Sequence, residues 1–263
     1  MRIATWNIKQ IAPRKPLSER RQWMVDNFAP DVAILTEADL AVGRTWTDWN
    51  VVGQTTAIGK GQNYATYIVS PKHKLEQITE VKTKRKNYTL DTWYPGVLKA
   101  ADLFDGSERW GTIVGMYGVT RDLNMKNCGH GFYSTMMLAK DIEAIVTTGR
   151  DRIVVAGDLN MLPNNFSDIF TDLGLIDVID ATSAWREPLP NCTECDLGDE
   201  CGHLWTHKNG SIDKNGSPQQ LDYIFISDDL ADDLTDVTGG IQSFPDAWQY
   251  SDHAPVVADF DSE

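Results

Sequence analysis

No stretch of the 263-residue chain approaches the ~18–20 apolar positions that a membrane-spanning helix needs, so no membrane span is expected. Cysteine is scarce: Cys128, Cys192, Cys195 and Cys201 are the only four, too few for a general disulfide framework. Positive charge is in deficit, with 24 Lys plus Arg against 38 Asp plus Glu and a net charge of −14. That excludes a protein-wide field that would draw in a polyanion. A nucleic acid partner therefore requires a local basic patch or bound cations, although carboxylates clustered around a divalent metal would themselves raise the acid count. Internal repeats, low-complexity tracts and Pro/Ser-rich linkers are also missing, so one domain spanning residues 1–263 is the simplest organisation. The opening "MRIATWNIKQ" reads as a strand and not as a cleavable leader, which makes a cytoplasmic location the expectation. The sequence points to no protein partner.

What is present is core-forming material, 41% apolar residues and nine tryptophans. Short apolar runs rich in β-branched residues recur at 2–6, 32–36, 65–70, 112–119, 152–156, 221–227 and 255–260. Several are apolar at consecutive positions, as in strands covered on both faces. Helical patterns lie between them. In "YSTMMLAKDIEAIVTTG", Leu138, Ile142, Ile145 and Val146 share a face, with Ser134 as the expected N-cap and Gly149 as the stop. In "PLSERRQWMVDNFAPD", Ser18 is the expected cap and Pro30 closes the helix. Segments 82–110 and 186–220 read as long irregular loops, the second of them Cys-rich.

Following each strand to its end reveals a pattern. The first ends in Trp6-Asn7, the second in Thr36-Glu37, the fifth in Gly157-Asp158-Leu159-Asn160; Tyr117 lies in the fourth, and Asp252-His253 precede the last. Any one of these has a bland reading as a turn, a cap or a solvated acid. Asp222 does not, because an acid inside the apolar run Leu221–Ile226 is costly to bury unpaired and should have a partner. Imidazole titrates near neutrality, which makes His253 the candidate for acid–base or electrostatic work. Glu37, then Asp252, are the first choices for holding a hard divalent cation.

Jointly, "TWN", "LTE", "MYG", "GDLN", "LDYIF" and "SDHAPV" occur in the order shown by the endonuclease/exonuclease/phosphatase superfamily, and the sequence resembles that superfamily from residue 3 to residue 260. The resemblance implies a four-layer α/β sandwich, two mixed β-sheets packed face to face with helices outside and the active site at one edge. It implies a phosphodiester hydrolase dependent on Mg²⁺ or Mn²⁺ held by Glu37. It pairs Asp222 with His253, gives Asp158 the activation or orientation of the attacking water, and gives Asn160 an amide contact to a phosphate oxygen. Asn7 would orient a neighbouring carboxylate or join the metal shell, and Tyr117 would donate toward the phosphate or leaving group. One departure concerns Lys9, which stands where several nucleases carry an acid or amide near the metal; a second ion held from the first strand is thereby put in doubt, and Lys9 is expected to be solvated or to meet a substrate phosphate. Thr36 stands where many members have Gln.

Two further features are independent of this pattern. Cys192, Cys195, Cys201 and His203 form a C-x₂-C-x₅-C-x-H set that matches a structural Zn²⁺ shell, with His207 as an alternative fourth ligand and with unligated thiols or one disulfide as the other readings. Lys84, Arg85 and Lys86, followed by Tyr88, Trp93 and Tyr94, suit a loop that contacts a nucleic acid strand, or else a solvated hairpin tip backed by core aromatics. The function expected is a nuclease, endonuclease or 3′ exonuclease, on DNA or RNA. The alternative is a phosphatase or phosphodiesterase for a nucleotide, an inositol phosphate or a lipid headgroup. A silent binding module is disfavoured, since every principal site residue type is retained.

Overall fold

Along the first strand, Ile3, Thr5 and Asn7 alternate with Ala4 and Trp6, and all five are buried. Both faces of this strand are therefore covered, the condition that its unbroken apolar pattern anticipates. The computed structural model describes residues 1–9, 15–54, 64–84, 86–120, 132–165, 167–187, 201–208 and 219–261. Its strands are β1 (Arg2–Asn7), β2 (Val32–Asp39), β3 (Asn50–Val52), β4 (Tyr64–Ser70), β5 (Lys74–Ile78), β6 (Glu80–Lys82), β7 (Asn87–Thr89), β8 (Leu98–Asp105), β9 (Glu108–Tyr117), β10 (Ile153–Asp158), β11 (Leu175–Asp177), β12 (Asp222–Ser227), β13 (Leu234–Gly239) and β14 (Val256–Phe260). Its helices are α1 (Leu17–Asn27), α2 (Val42–Thr45), α3 (Phe132–Val146), α4 (Ser167–Thr171), α5 (Val178–Ala181) and α6 (Gly240–Ser243).

The strands form two six-stranded sheets, ordered β13-β14-β1-β2-β4-β3 and β11-β12-β10-β9-β8-β5, and a separate β6–β7 ribbon. Both sheets are mixed: β1–β2 and β9–β10 run parallel, while β14 and β12 run antiparallel to β1 and β10. The sheets pack face to face so closely at Gly115 of β9 that a Cβ there would come within 2.8 Å of Thr66 and 2.9 Å of Ile34. Ile3, Ile34 and Ile68 from the first sheet share one apolar cluster with Ile113, Ala156 and Ile224 from the second, and with Leu138, Ile142 and Ile145 of α3. The opposite face of the first sheet, with Trp6, Leu35 and Tyr67, packs against Trp23, Met24 and Phe28 of the α1 segment. Trp6 and Trp23 lie 5.0 Å apart between ring centroids, and each such aromatic contributes about 1.5–3 kcal/mol by leaving water. Helix, sheet, sheet, helix is the four-layer α/β sandwich expected.

The helix caps differ from expectation. Helix α1 starts at Leu17 after Pro16, with no side-chain cap, because the ring of Pro16 already sets the backbone (φ −55°) for helix entry; Ser18 sits inside the first turn. Helix α3 starts at Phe132, so Ser134 is a buried first-turn residue and not the cap. Segment 82–110, read as irregular, carries β7, β8 and the start of β9. Strand β8 is disguised by charges whose partners lie outside the strand: Lys99 meets Asp91 at 2.5 Å, and Asp102 takes Arg109 at 2.9 Å and also Arg150.

Because β1 parallels β2 and β9 parallels β10, four strands deliver their C-terminal residues to edges of the two sheets, and β12 and β14 start from those same edges. The two edges meet where Asn7 touches Asp158 at 2.8 Å. The approach is tight at Gly157, where φ is +152° and a Cβ would stand 1.7 Å from the Met116 carbonyl oxygen. Gly157→Ala should therefore cost at least about 3 kcal/mol in urea unfolding; a loss under 1 kcal/mol would show that β9 and β10 are not held at this spacing.

Candidate active site

By strand alternation Asn7 and Asp158 both point between the sheets, and they meet at the open edge. Asp158 is fully buried and its carboxylate is completely managed: Oδ2 accepts from the Asn7 side chain at 2.8 Å, and Oδ1 accepts the Asn160 backbone N–H at 2.7 Å. Asn160 adopts a left-handed conformation (φ +51°), which swings its amide back to donate to the Gly118 carbonyl at 2.7 Å and toward Asp158 at 3.3 Å. The amide oxygen of Asn7 accepts from the Lys9 backbone N–H at 2.9 Å. Asn7 thus orients Asp158, and both ends of its amide are engaged.

Glu37 reaches the site through a distortion. Between Leu35 and Ala38 the β2–β4 register shifts by one residue, and Glu37 itself has φ +44°. Strict alternation would put Glu37 on the side of Leu35, against α1. The bulge re-aims it between the sheets, where the Tyr117 hydroxyl of β9 donates to its Oε1 at 2.7 Å.

In the register of β10 and β12, Asp222 lies directly opposite Asp158, an arrangement of like charges that is unfavourable unless a cation intervenes. His253 is that cation. Its Nδ1 is 2.7 Å from Asp222 Oδ2 and its Nε2 is 3.9 Å from Asp158 Oδ2, with the ring almost entirely buried. Its backbone is anchored as well: the Trp6 indole N–H donates to the His253 carbonyl at 2.9 Å, and Ser251 Oγ accepts the His253 N–H at 3.1 Å while donating to the Asn7 carbonyl at 2.7 Å. Burial works to lower the His253 pKa, but the charges of Asp222 and Asp158 and the Asp222 hydrogen bond outweigh it and hold the imidazolium up to about 10. Asp158 is displaced upward, first by burial; His253 opposes this, and Asp222 adds to it. With Nδ1 bonded to Asp222, the proton between these groups belongs on His253.

Asp252, the neighbour of His253, forms an ion pair with Lys9. Burial raises its pKa, but His253 and Lys9 more than offset that and leave it below the ordinary carboxylate range. Sequence reasoning gave Lys9 a solvated surface as its usual fate and took His207 only as an alternative zinc ligand. The structure pairs Lys9 with an acid 243 positions away, a separation no local pattern can reveal. It sets the His207 ring beside that of His253, tilted by 41° with 4.6 Å between centroids, and with Nδ1 of His207 against Gln219 Oε1 at 3.1 Å. Burial and the charge of His253 push His207 down to about 4, so it stays neutral.

All eight residues anticipated for catalysis or metal, Asn7, Glu37, Tyr117, Asp158, Asn160, Asp222, Asp252 and His253, converge here. Among the described residues no group of three or more His, Cys, Asp or Glu is arranged to encage a metal. Mg²⁺ does not demand a cage: one or two carboxylates, waters and substrate phosphate suffice, and a Glu37 carboxylate fixed by Tyr117 meets that requirement. Of the zinc set, Cys192 and Cys195 lie outside the described residues, as does Cys128. Cys201 is buried, and the segment it opens runs from Gly202, whose carbonyl accepts from Arg186, to His207. In the basic segment Lys84 and Lys86 are exposed, Arg85 is outside the described residues, Tyr88 and Trp93 are half-buried and Tyr94 is buried. Strand β5 ends beside Ala100 and β8 begins beside Met116, so the β6–β7 ribbon leaves the sheet from the edge that bears Tyr117.

This two-sheet architecture with its edge site is the deoxyribonuclease I-like fold. It is shared with the 3′–5′ exonuclease NExo of Neisseria meningitidis (19% identity, TM-score 0.67, all of both chains covered) and an AP endonuclease of Archaeoglobus fulgidus (19%, 0.63, all of both chains). The endonuclease domain of TRAS1, a telomere-specific non-LTR retrotransposon, also shares it (14%, 0.61, 100% of this chain and 99% of that one). No protein-family model matches the sequence, and no curated protein does. Among the described residues no helix is long and apolar enough to cross a membrane.

Because the folded-state pKa of His253 lies above the ordinary 6.5, the folded protein keeps a proton that the unfolded chain releases. The stability from this pair is whole below about pH 6.5 and is lost as pH rises toward about 10. Cation-free protein should lose at least about 1 kcal/mol of unfolding free energy between pH 6.5 and 9.5, and Asp222→Asn should flatten that dependence. An unchanged slope in the variant would refute the pairing.

Proposed function

We propose that the protein is a divalent-cation-dependent phosphoester hydrolase acting on nucleic acid, a nuclease that cleaves by in-line attack of water. The observation that carries this reading is the Asp222–His253–Asp158 array beside Glu37: a buried imidazolium, a positioned carboxylate and a hard cation ligand meeting at one edge of the two sheets. Phosphodiester hydrolysis needs these three things, since the diester carries negative charge, the attacking water must be placed, and charge grows on the leaving oxygen. The fold it shares with NExo and the A. fulgidus enzyme supports the same reading.

In this mechanism Asp222 holds Nδ1–H of His253, so that Nε2–H faces outward to a phosphate oxygen. Asp158, held by Asn7 and by the Asn160 backbone, orients the attacking water and receives its proton. Asp158 and His253 work as a unit, with Oδ2 and Nε2 3.9 Å apart. Glu37 would hold Mg²⁺ or Mn²⁺, with Tyr117 fixing the carboxylate. Bound there, the cation would neutralise phosphate charge. The Tyr117 hydroxyl, expected to face phosphate, instead donates to Glu37, and the Asn160 amide donates to the Gly118 carbonyl; both have a positioning role in this conformation.

The ribbon bearing Lys82, Lys84 and Lys86 offers local positive charge at the site edge in a chain of net charge −14. That favours a polyanionic strand over a small phosphate ester. A chelator should abolish cleavage of DNA or RNA oligonucleotides, and Asp158→Asn and His253→Asn should each lower turnover by about 10²–10⁴-fold with the fold intact; full activity in both would rule the mechanism out. Tyr117→Phe should raise the cation concentration for half-maximal activity about 10–100-fold by releasing Glu37, measured by titrating Mg²⁺ against initial rate; an unchanged requirement would remove Tyr117 from the cation site.

A further inference from the structure

Lys9 is held in place by more than its ion pair. Its backbone is left-handed (φ +44°), a region that side-chain-bearing residues avoid. Two devices keep it there. Asn7 Oδ1 accepts the Lys9 N–H at 2.9 Å, and the guanidinium of Arg20, only 3% exposed, donates to the carbonyls of Ile8 and Lys9, the latter at 3.4 Å. A lysine serving only solubility needs no such support. The constrained backbone sends the ammonium onto Asp252, with the side chain still 35% exposed.

Asp252 is thus paired with the Lys9 ammonium and Asp222 with His253, whereas Glu37 is held by a neutral hydroxyl, that of Tyr117.

We infer that Lys9 is a built-in cation: its ammonium takes the position on Asp252 that a second divalent ion would require, so the site binds a single ion, at Glu37. Lys9 is in these terms a positioning residue acting through Asp252, and the inference rests on the metal-dependent reading proposed above. It also removes Asp252 from the ligands of that ion.

Calorimetric titration of Mn²⁺ into the full chain separates the outcomes, with no substrate present. Wild type and Lys9→Arg should each bind one ion. Lys9→Asp, which sets two carboxylates facing each other, should bind two. Lys9→Met keeps the length without the charge and should bind Mn²⁺ on the order of 10-fold more tightly, or take up a second ion, because Asp252 is released. Near-ultraviolet circular dichroism confirms that each variant is folded; if Lys9→Asp is not, Lys9→Met decides. Two ions in wild type, or unchanged stoichiometry and affinity in folded Lys9→Met, would overturn the inference while leaving metal dependence standing. No ion in wild type would overturn the metal reading and the inference together.

Discussion

A carboxylate with no exposed surface at the buried start of a sheet strand must have a cation, and the structure is arranged around meeting that demand for Asp222. The partner, His253, comes from the other sheet, on the turn before β14. To bring it within 2.7 Å the chain uses the Trp6 indole and Ser251 to fix the histidine backbone against β1, and Thr206 Oγ1 to accept the backbone N–H of Asp222 at 3.1 Å. Among the described residues Asp222 Oδ1 has no hydrogen-bond partner, so the contact of Oδ2 to His253 carries the compensation. That the imidazole is thereby held charged is the chemical consequence of a packing constraint.

Backbone strain also recurs at the same edge. Lys9, Glu37 and Asn160 all have positive φ, and they lie just beyond or at the ends of β1, β2 and β10. Each such conformation costs of order 1–3 kcal/mol and persists only where neighbours over-determine it. Here the neighbours are identifiable: Asn7 and Arg20 for Lys9, the β2 bulge and Tyr117 for Glu37, Asp158 and the Gly118 carbonyl for Asn160. The apolar clusters on either face of the first sheet supply the stability against which this strain is held.

Much of this was legible in the sequence. Strands covered on both faces announce themselves as unbroken apolar runs, and the acid at Asp222 stood out because such a run cannot accommodate it alone. Residues at the ends of those strands could be collected from the chain, and they do converge. What stayed hidden depends on contacts between distant positions. Strand β8 carries Lys99 and Asp102, whose charges are cancelled by partners outside the run. The cap at Ser18 failed because Pro16 already sets the helix entry. Lys9 looked solvated because Asp252 lies at the other end of the chain, and His207 gave no sign that it would lie beside His253. The bulge that turns Glu37 inward has no signature in "LTEAD", because it is created by the pairing with β4.

Lys9 on Asp252, His253 on Asp222 and Glu37 on Tyr117 form three adjoining pairs, and in each a carboxylate is fixed in advance of the reaction proposed. Preorganisation of this kind is what lowers a barrier in a site shielded from water. The charge state of His253 is the claim on which the account most depends. Nitrogen-15 chemical shifts of the His253 ring in cation-free protein at pH 8 measure it directly. Both ring nitrogens should carry a proton there, well above the ordinary imidazole pKa of 6.5; a neutral ring with a single protonated nitrogen at that pH would contradict it.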